Sequence, residues 1–126
     1  MSLIICHKVL VKEIPEKGLG VFASEDIKKD DLVEKGIIKR INCDGHKNPH
    51  LFTWSEDGTV WGFGSGCSTF YNTSRTPNTK MIRHFDKDRF EIFALTDIKK
   101  GEELVHKYKS LEWRDVFKDL RDMKNL

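Results

Sequence analysis

The chain has 126 residues, of which 38% are hydrophobic and 33% charged, and its 22 basic residues nearly balance 20 acidic ones. This length suits one domain with one hydrophobic core, and the basic residues are not gathered into the stripe that typifies a nucleic-acid binder. Three widely spaced cysteines match neither a disulfide framework nor a structural zinc site. We therefore expect a single domain over 1–126, soluble and intracellular, with no signal peptide, membrane span, metal site or nucleic-acid partner.

The first part of the chain predicts short strands separated by turns. Residues 9–11 and 21–23 are apolar, with β-branched and aromatic members, and a proline and glycines lie between them. A third strand is expected from residue 32 to residue 41. The glycine-rich stretch 42–69 is the least regular, so we interpret it as a variable insert with two short strands around the turn at 56–58.

The second part predicts a hairpin and a helix. Residues 80–84 and 90–95 flank the turn 86–88, a pattern that predicts two antiparallel strands. From 110 to 124, Ser110 is a suitable N-cap, and an apolar face recurs at three- and four-residue spacing, formed by Trp113, Val116, Phe117, Leu120 and Met123. The predicted fold class is therefore mainly β with a C-terminal helix.

Three motifs contain candidate functional residues, although each motif has an ordinary structural interpretation. Residues 18–20 (Gly-Leu-Gly) precede a strand and lack the following helix of a phosphate loop, so alone they indicate a tight turn. The polar stretch 70–78 alone predicts a loop. Residues 101–108 alone predict a turn and a strand that ends in a half-buried tyrosine.

The order and spacing of these motifs resemble the SET-domain family of protein lysine methyltransferases. The matching blocks are Gly-x-Gly-Val-Phe-Ala (18–23), Phe-x-Asn-x-Ser-x-x-Pro-Asn (70–78) and Ala-x-x-Asp-Ile-x-x-Gly-Glu-Glu-Leu-x-x-x-Tyr (94–108). The resemblance extends from about residue 9 to residue 113, and the layout is similar to the small stand-alone viral members. It implies a SET fold of small curved sheets, in which the segment of Asn72 and the segment ending at Tyr108 pack in a knot-like arrangement.

The resemblance implies methyl transfer from S-adenosylmethionine to the side-chain amine of a protein lysine, with histone tails as one substrate class. Such an amine must lose its proton before it attacks, and an apolar, aromatic channel lowers its pKa by desolvation. Tyr108 matches the family's catalytic tyrosine. The positions implied for cofactor binding are Gly18, Leu19, Gly20, Phe70, Asn72, Thr73, Tyr108 and Trp113, and those for the substrate channel are His50, Phe52 and His106.

Two positions depart from the family's pattern. Thr73 stands where the family usually has histidine, which puts the cofactor affinity in question. His106 stands two positions before the tyrosine, where many members have phenylalanine or tyrosine and where the residue often influences how many methyl groups are added. The degree of methylation therefore stays open. A histidine there also predicts pH-dependent activity, because its charge changes near neutrality.

Other functions remain open at this point. A SET scaffold without catalysis would bind a protein or peptide partner, and the missing histidine favours this alternative. A structural protein of the same architecture would bind no cofactor, and a nucleic-acid binder would use Trp54, Trp61 and nearby lysines for stacking. We expect residues 42–69 to determine the substrate, because loops on a fixed scaffold usually set specificity. A homodimer is a further expectation.

Overall fold

The structure is a computed structural model that describes residues 2–48, 50–108 and 118–123. In these ranges the chain forms nine strands in two sheets, two single-turn 3-10 helices and one short helix, α1 (Lys118–Arg121). The strands are β1 (Val9–Ile14), β2 (Gly18–Ala23), β3 (Leu32–Ile41), β4 (Phe52–Thr53), β5 (Trp61–Gly64), β6 (Asn72–Thr73), β7 (Thr79–His84), β8 (Arg89–Ala94) and β9 (Glu103–His106). The mainly β fold class predicted from the sequence is confirmed.

The four-stranded sheet has the order β1-β2-β9-β6 and brings the three sequence motifs together. β1 and β2 form an antiparallel hairpin that ends with Ile14 opposite Gly18. β9 pairs antiparallel with β2 and parallel with β6, with Asn72 opposite Val105. A parallel pair needs a long crossover connection, and the crossover from β6 to β9 contains the β7–β8 hairpin.

The first motif lies inside a strand, so its interpretation as a tight turn is wrong. The turn closes just before it, where the N–H of Lys17 donates to the carbonyl oxygen of Ile14 at 3.0 Å. Gly18 has a φ of +103°, a conformation that glycine adopts without the steric cost of a Cβ. The stretch 70–78 is likewise not a simple loop, since it contains β6 and its pairing with β9.

The five-stranded sheet has the order β4-β5-β3-β8-β7, with the long β3 at its centre. The predicted strand 32–41 and the predicted hairpin around 86–88 are confirmed, the latter as six β7–β8 pairs from Thr79 opposite Ala94 to His84 opposite Arg89. The stretch 42–69 adds β4 and β5 to one edge, as the two short strands predicted there.

Two segments with the same sequence, Asp-Ile-Lys-Lys at 26–29 and 97–100, lie against each other. The buried side chains of Ile27 and Ile98 sit at an isolated bridge in which the two residues exchange backbone hydrogen bonds of 2.8 Å. The aspartate of each segment accepts a hydrogen bond of 2.9 Å from a lysine N–H of the other. This reciprocal capping fixes the turn before β3 against the turn before β9.

One of the largest fully buried side chains is a carboxylate, Glu34 in the middle of the core. It accepts hydrogen bonds from the hydroxyl of Tyr71 at 2.8 Å and from the N–H of Cys67 at 2.9 Å. Gly66, whose φ is +62°, leaves the space that one carboxylate oxygen fills. Burial raises the pKa of Glu34 to about 7, although both hydrogen bonds oppose the rise.

The predicted helix over 110–124 falls mostly outside the described residues and stays a prediction, with α1 as its described part. Trp113 also lies outside them. In the part of the chain that the structure describes, no helix has the length and apolar character to cross a bilayer.

We expect the free energy of unfolding to fall as the pH rises from about 4.5 to about 7, because the folded protein binds the proton of Glu34 more tightly than the unfolded chain does. The contribution is fully present below the ordinary pKa of 4.5 and is lost as the pH passes the folded value of about 7. Its size is on the order of 3 kcal/mol. Urea unfolding across this pH range measures it.

The matched variants are Glu34→Gln, which carries a neutral side chain at every pH, and Glu25→Gln, which changes an exposed carboxylate. The first should lose this component of the pH dependence and the second should keep it. An unchanged pH dependence in Glu34→Gln would contradict the assignment.

Candidate active site

The segment 70–78 is held against β9 mainly by Asn78. Its side chain donates to the carbonyl oxygen of Glu103 at 2.9 Å and accepts from the N–H of Val105 at 2.8 Å. Its backbone N–H donates to the carbonyl oxygen of Val105 at 3.1 Å, and its own carbonyl oxygen accepts from Leu95 at 2.8 Å. One asparagine thereby satisfies backbone groups of both β9 and the end of β8, which fixes how β6 and β9 lie together.

Tyr108 lies two residues beyond the end of β9 and is half-buried. Its backbone N–H donates to the Thr73 hydroxyl at 3.1 Å, and its own hydroxyl donates to the carbonyl oxygen of Tyr71 at 2.5 Å. Burial, with a smaller contribution from the negative charge of Glu103, raises the pKa of Tyr108 to about 12. The hydroxyl is therefore protonated at neutral pH and acts as a hydrogen-bond donor.

His106 is buried between two tyrosine rings. Its ring stacks on Tyr71 with centroids 5.1 Å apart and meets Tyr108 edge-on at 5.8 Å. Burial, helped by the positive charge of Arg83, lowers the pKa of His106 to about 3. The expectation that this histidine changes charge near neutrality is therefore wrong. Burial destabilises the charged imidazolium, so the ring stays neutral at neutral pH.

The Gly18–Gly20 segment and Asn72 meet at the β2 side of β9. The Asn72 amide donates to the carbonyl oxygen of Leu19 at 3.0 Å and to a carboxylate oxygen of Glu103 at 2.8 Å. A Cβ on Gly20 would lie 2.8 Å from that oxygen and 3.1 Å from the amide nitrogen, so glycine makes room for this contact. The structure thus brings Gly18, Leu19, Gly20, Asn72, Thr73 and Tyr108 to the region where β2, β9 and β6 adjoin.

Of the remaining predicted positions, Trp113 lies outside the described residues, whereas His50 and Phe52 have described contacts with Phe70 and Arg83. His50 is exposed, and its ring lies 6.0 Å from that of Phe70. Phe52 in β4 is half-buried, and the guanidinium of Arg83 lies 5.8 Å from its ring centroid. Arg83 therefore lies between two of the predicted positions: it contacts the Phe52 ring, and it lines one pocket together with His106.

Sequence reasoning did not select Tyr71, Glu34, Glu103 or Asn78. Tyr71 joins the site to the core, because its carbonyl oxygen accepts from Tyr108, its ring stacks on His106 and its hydroxyl donates to Glu34. The signal available for Asn78 was its place at the end of the 70–78 motif. No group of three or more His, Cys, Asp or Glu side chains suited to a metal ion occurs within 2–48, 50–108 and 118–123.

Comparison with known proteins bears on this arrangement. A family model described as the SET domain matches residues 18–109. The histone-lysine N-methyltransferase, H3 lysine-4 specific, of Schizosaccharomyces pombe is 35% identical over 112 residues, covering 77% of this chain. The chain spans 12% of the length of that curated relative.

Solved structures share the fold. A humanized mutant of the Chaetomium thermophilum Polycomb Repressive Complex 2 bound to the inhibitor GSK126 is 26% identical, with a TM-score of 0.68 over 84% of this chain and 15% of the other. The structure of ctPRC2 in an autoinhibited conformation bound to S-adenosylmethionine is 23% identical, with a TM-score of 0.68 over 93% and 17%. These matches lend no support to the viral stand-alone layout.

The family model covers all three motifs that converge around β9, including both positions that depart from the family's pattern. On that match and on the shared fold, the chain belongs to the SET domain family.

Proposed function

We propose that this domain is an S-adenosylmethionine-dependent methyltransferase that acts on the side-chain amine of a protein lysine. The observation that carries the proposal is the convergence of Gly18–Gly20, Asn72 and Tyr108 around β9, with the Tyr108 hydroxyl protonated and half-buried. The relatives support the reaction class, since the similar Schizosaccharomyces pombe protein is a histone-lysine methyltransferase and the similar ctPRC2 structure binds S-adenosylmethionine.

The residues present fit the cofactor by one structural feature: the Gly18 backbone is exposed, and nothing lies within 4 Å of the place where a Cβ would be, so a ligand can approach it closely. Backbone groups of Gly18, Leu19 and Gly20 and the amide of Asn72 are the proposed cofactor contacts on that side, with Phe70, Thr73, Tyr108 and Trp113 as the further proposed contacts. When bound, S-adenosylmethionine supplies a methyl group that an uncharged amine can attack.

In this proposal the protein supplies orientation and desolvation. Tyr108 positions the amine through its hydroxyl, and Tyr71 holds that hydroxyl in place through its backbone carbonyl. His106, being uncharged, contributes a polar ring without an imidazolium that would repel an incoming ammonium group. Phe52 and His50 stay proposed channel residues nearer the surface. An aromatic, buried channel lowers the pKa of the lysine amine and so favours its reactive form.

The substrate in this proposal is a protein or peptide that bears lysine, with histone tails as the first class to test because the curated relative is H3 lysine-4 specific. Residues 42–69, which include β4 and β5 at the edge of the larger sheet, are the proposed determinant of substrate choice. A single domain over 1–126, an intracellular location and a homodimer stay predictions.

A second candidate function, a SET scaffold that binds a partner without catalysis, is favoured by Thr73. This residue replaces the family's usual histidine, and its hydroxyl accepts the N–H of Tyr108. The scaffold candidate and the enzyme differ in turnover: the scaffold transfers no methyl group to any peptide, whether or not it binds the cofactor.

We expect calorimetric titration to show saturable binding of S-adenosylmethionine, weakened about tenfold or more in Asn72→Ala because the amide that holds the Leu19 carbonyl and the Glu103 carboxylate in place is lost. Asn42→Ala, which truncates an exposed asparagine, is the matched control and should bind as the wild type does. Absence of binding to the wild type at millimolar cofactor would contradict the proposal.

We expect Tyr108→Phe to lower methyl transfer to a histone peptide by about a hundredfold or more, because the variant loses the positioned hydroxyl. The ring remains, so cofactor affinity should change little. Mass spectrometry of the peptide measures the first quantity and calorimetry the second. Equal losses of cofactor affinity and rate would indicate a structural role for the hydroxyl instead.

We expect His106→Phe to leave the shape of the rate–pH profile unchanged between about pH 6 and 9, because the imidazole is uncharged well below that range. The number of methyl groups added is read in the same assay from the peptide masses. A wild-type inflection near pH 6.5 that vanishes in the variant would show that His106 titrates during catalysis.

A further inference from the structure

A pocket of about 160 Å³ lies between β7, the end of β8 and the end of β9. We call it the β7–β9 pocket. Its lining includes three basic side chains, Lys80, Arg83 and Lys107, together with the buried His106. The other lining residues are Pro77, Thr79, Met81 and Leu95, so none of the described residues in its wall is acidic. The charges of these side chains favour an anion over a cation in the pocket.

Arg83 contributes a guanidinium group with an unsatisfied hydrogen-bond donor to this wall. The side chain is half-buried and its Nε atom is fully enclosed without a hydrogen-bond partner. Across residues 2–48, 50–108 and 118–123, its guanidinium has neither a hydrogen bond nor an ion pair. Its contact with the Phe52 ring, at 5.8 Å, is a cation–π interaction that supplies no acceptor. Burial lowers the pKa of Arg83 to about 10, so the group stays charged at neutral pH.

The Nε atom is the enclosed edge of this guanidinium, and a buried donor left without a hydrogen bond destabilises a fold. The enclosed Nδ1 of His106 also has no hydrogen-bond partner in the described chain. Two enclosed polar atoms, one on β7 and one on β9, thus lack a hydrogen-bond partner among the described residues beside the same pocket. Because neither atom is accessible, a ligand in the pocket would meet the guanidinium at its terminal nitrogens.

We propose that the β7–β9 pocket binds an oxyanion, either a carboxylate or a phosphate group, with Arg83 as its main contact. The terminal nitrogens of Arg83 are not enclosed, and a guanidinium matches carboxylate and phosphate oxygens in a fork geometry. Lys80 and Lys107 are exposed and add attraction at the rim. The volume suits an anionic group and is well below that of a site for a drug-sized molecule.

His106 forms a wall of this pocket and also contacts the rings of Tyr71 and Tyr108. An anion in the pocket therefore lies one side chain away from the proposed transfer site. Two sources carry the required chemistry: a free small anion, or an acidic or phosphorylated side chain of the peptide substrate. The second source rests on the proposed function, whereas the anion site itself does not.

The test is a titration of the complete chain with inorganic phosphate and with acetate, at an ionic strength held constant with sodium chloride. We expect each anion to raise the melting temperature in a saturable way. Arg83→Met should weaken the binding by about tenfold or more, since charge-assisted hydrogen bonds are lost. Arg40→Met removes the same charge from an exposed arginine paired with Asp88 and should bind phosphate as the wild type does.

A wild-type response no larger than that of the chloride control, or the same response in Arg83→Met, overturns the proposal. If Arg83→Met does not fold, the Arg83 side-chain N–H resonance of the wild-type protein is followed by nuclear magnetic resonance during the same titration. A saturable shift of that resonance supports the site, and an unmoved resonance refutes it.

A final competition distinguishes the two sources. A lysine peptide with neighbouring acidic or phosphorylated residues displaces phosphate if the pocket serves substrate recognition, whereas the same peptide with neutral neighbours does not. Phosphate binding that neither peptide affects identifies a free anion as the ligand. Because these readouts need neither cofactor nor turnover, failure of the methyltransferase proposal would leave the anion result standing, and the reverse also holds.

Discussion

The parallel contact between β6 and β9 is the constraint on which the candidate site depends. Two residue pairs are too few to hold a parallel ladder by themselves, and the Asn78 side chain extends it by bonding to the backbone of Glu103 and Val105. With β6 fixed in this way, Asn72 reaches β2 and Thr73 reaches the backbone of Tyr108. The geometry around Tyr108 is thus set by backbone and amide hydrogen bonds more than by hydrophobic packing.

A second interaction joins this site to the core. Glu34 accepts from the Tyr71 hydroxyl, and the carbonyl oxygen of the same tyrosine accepts from Tyr108. A buried carboxyl group is costly to ionise, so an aliphatic residue at this position would be expected if stability alone mattered. The polar pair orients Tyr71 uniquely, and Tyr71 in turn presents a ring to His106 and a carbonyl oxygen to Tyr108. The buried Glu34 thus lowers the free energy of unfolding near neutral pH, and in exchange the Tyr71 side chain has a fixed orientation.

Patterns that are local in sequence predicted the fold well. The β7–β8 hairpin and the two strands around 56–58 follow from alternation and turn residues, which act over a few positions. The pairing of β6 with β9 is not local, and it entered through the resemblance to a family and not through periodicity. Glu34 and Arg83 could not be selected from the sequence, because a charged residue is ordinarily exposed and its burial depends on distant packing. The burial of His106 also depends on distant packing, so its lowered pKa could not be predicted from the sequence.

His106 lies in surroundings that act on any ionisable group placed there. Burial and the charge of Arg83 both oppose a positive charge and lower the pKa of His106 to about 3. An amine that entered the same surroundings would be driven toward its neutral form by both effects. This is the form that attacks a methyl group, so a histidine in place of an aromatic residue does not argue against methyl transfer. The proposed anion near Arg83 would act in the opposite direction, because its negative charge would offset the positive charge of the guanidinium.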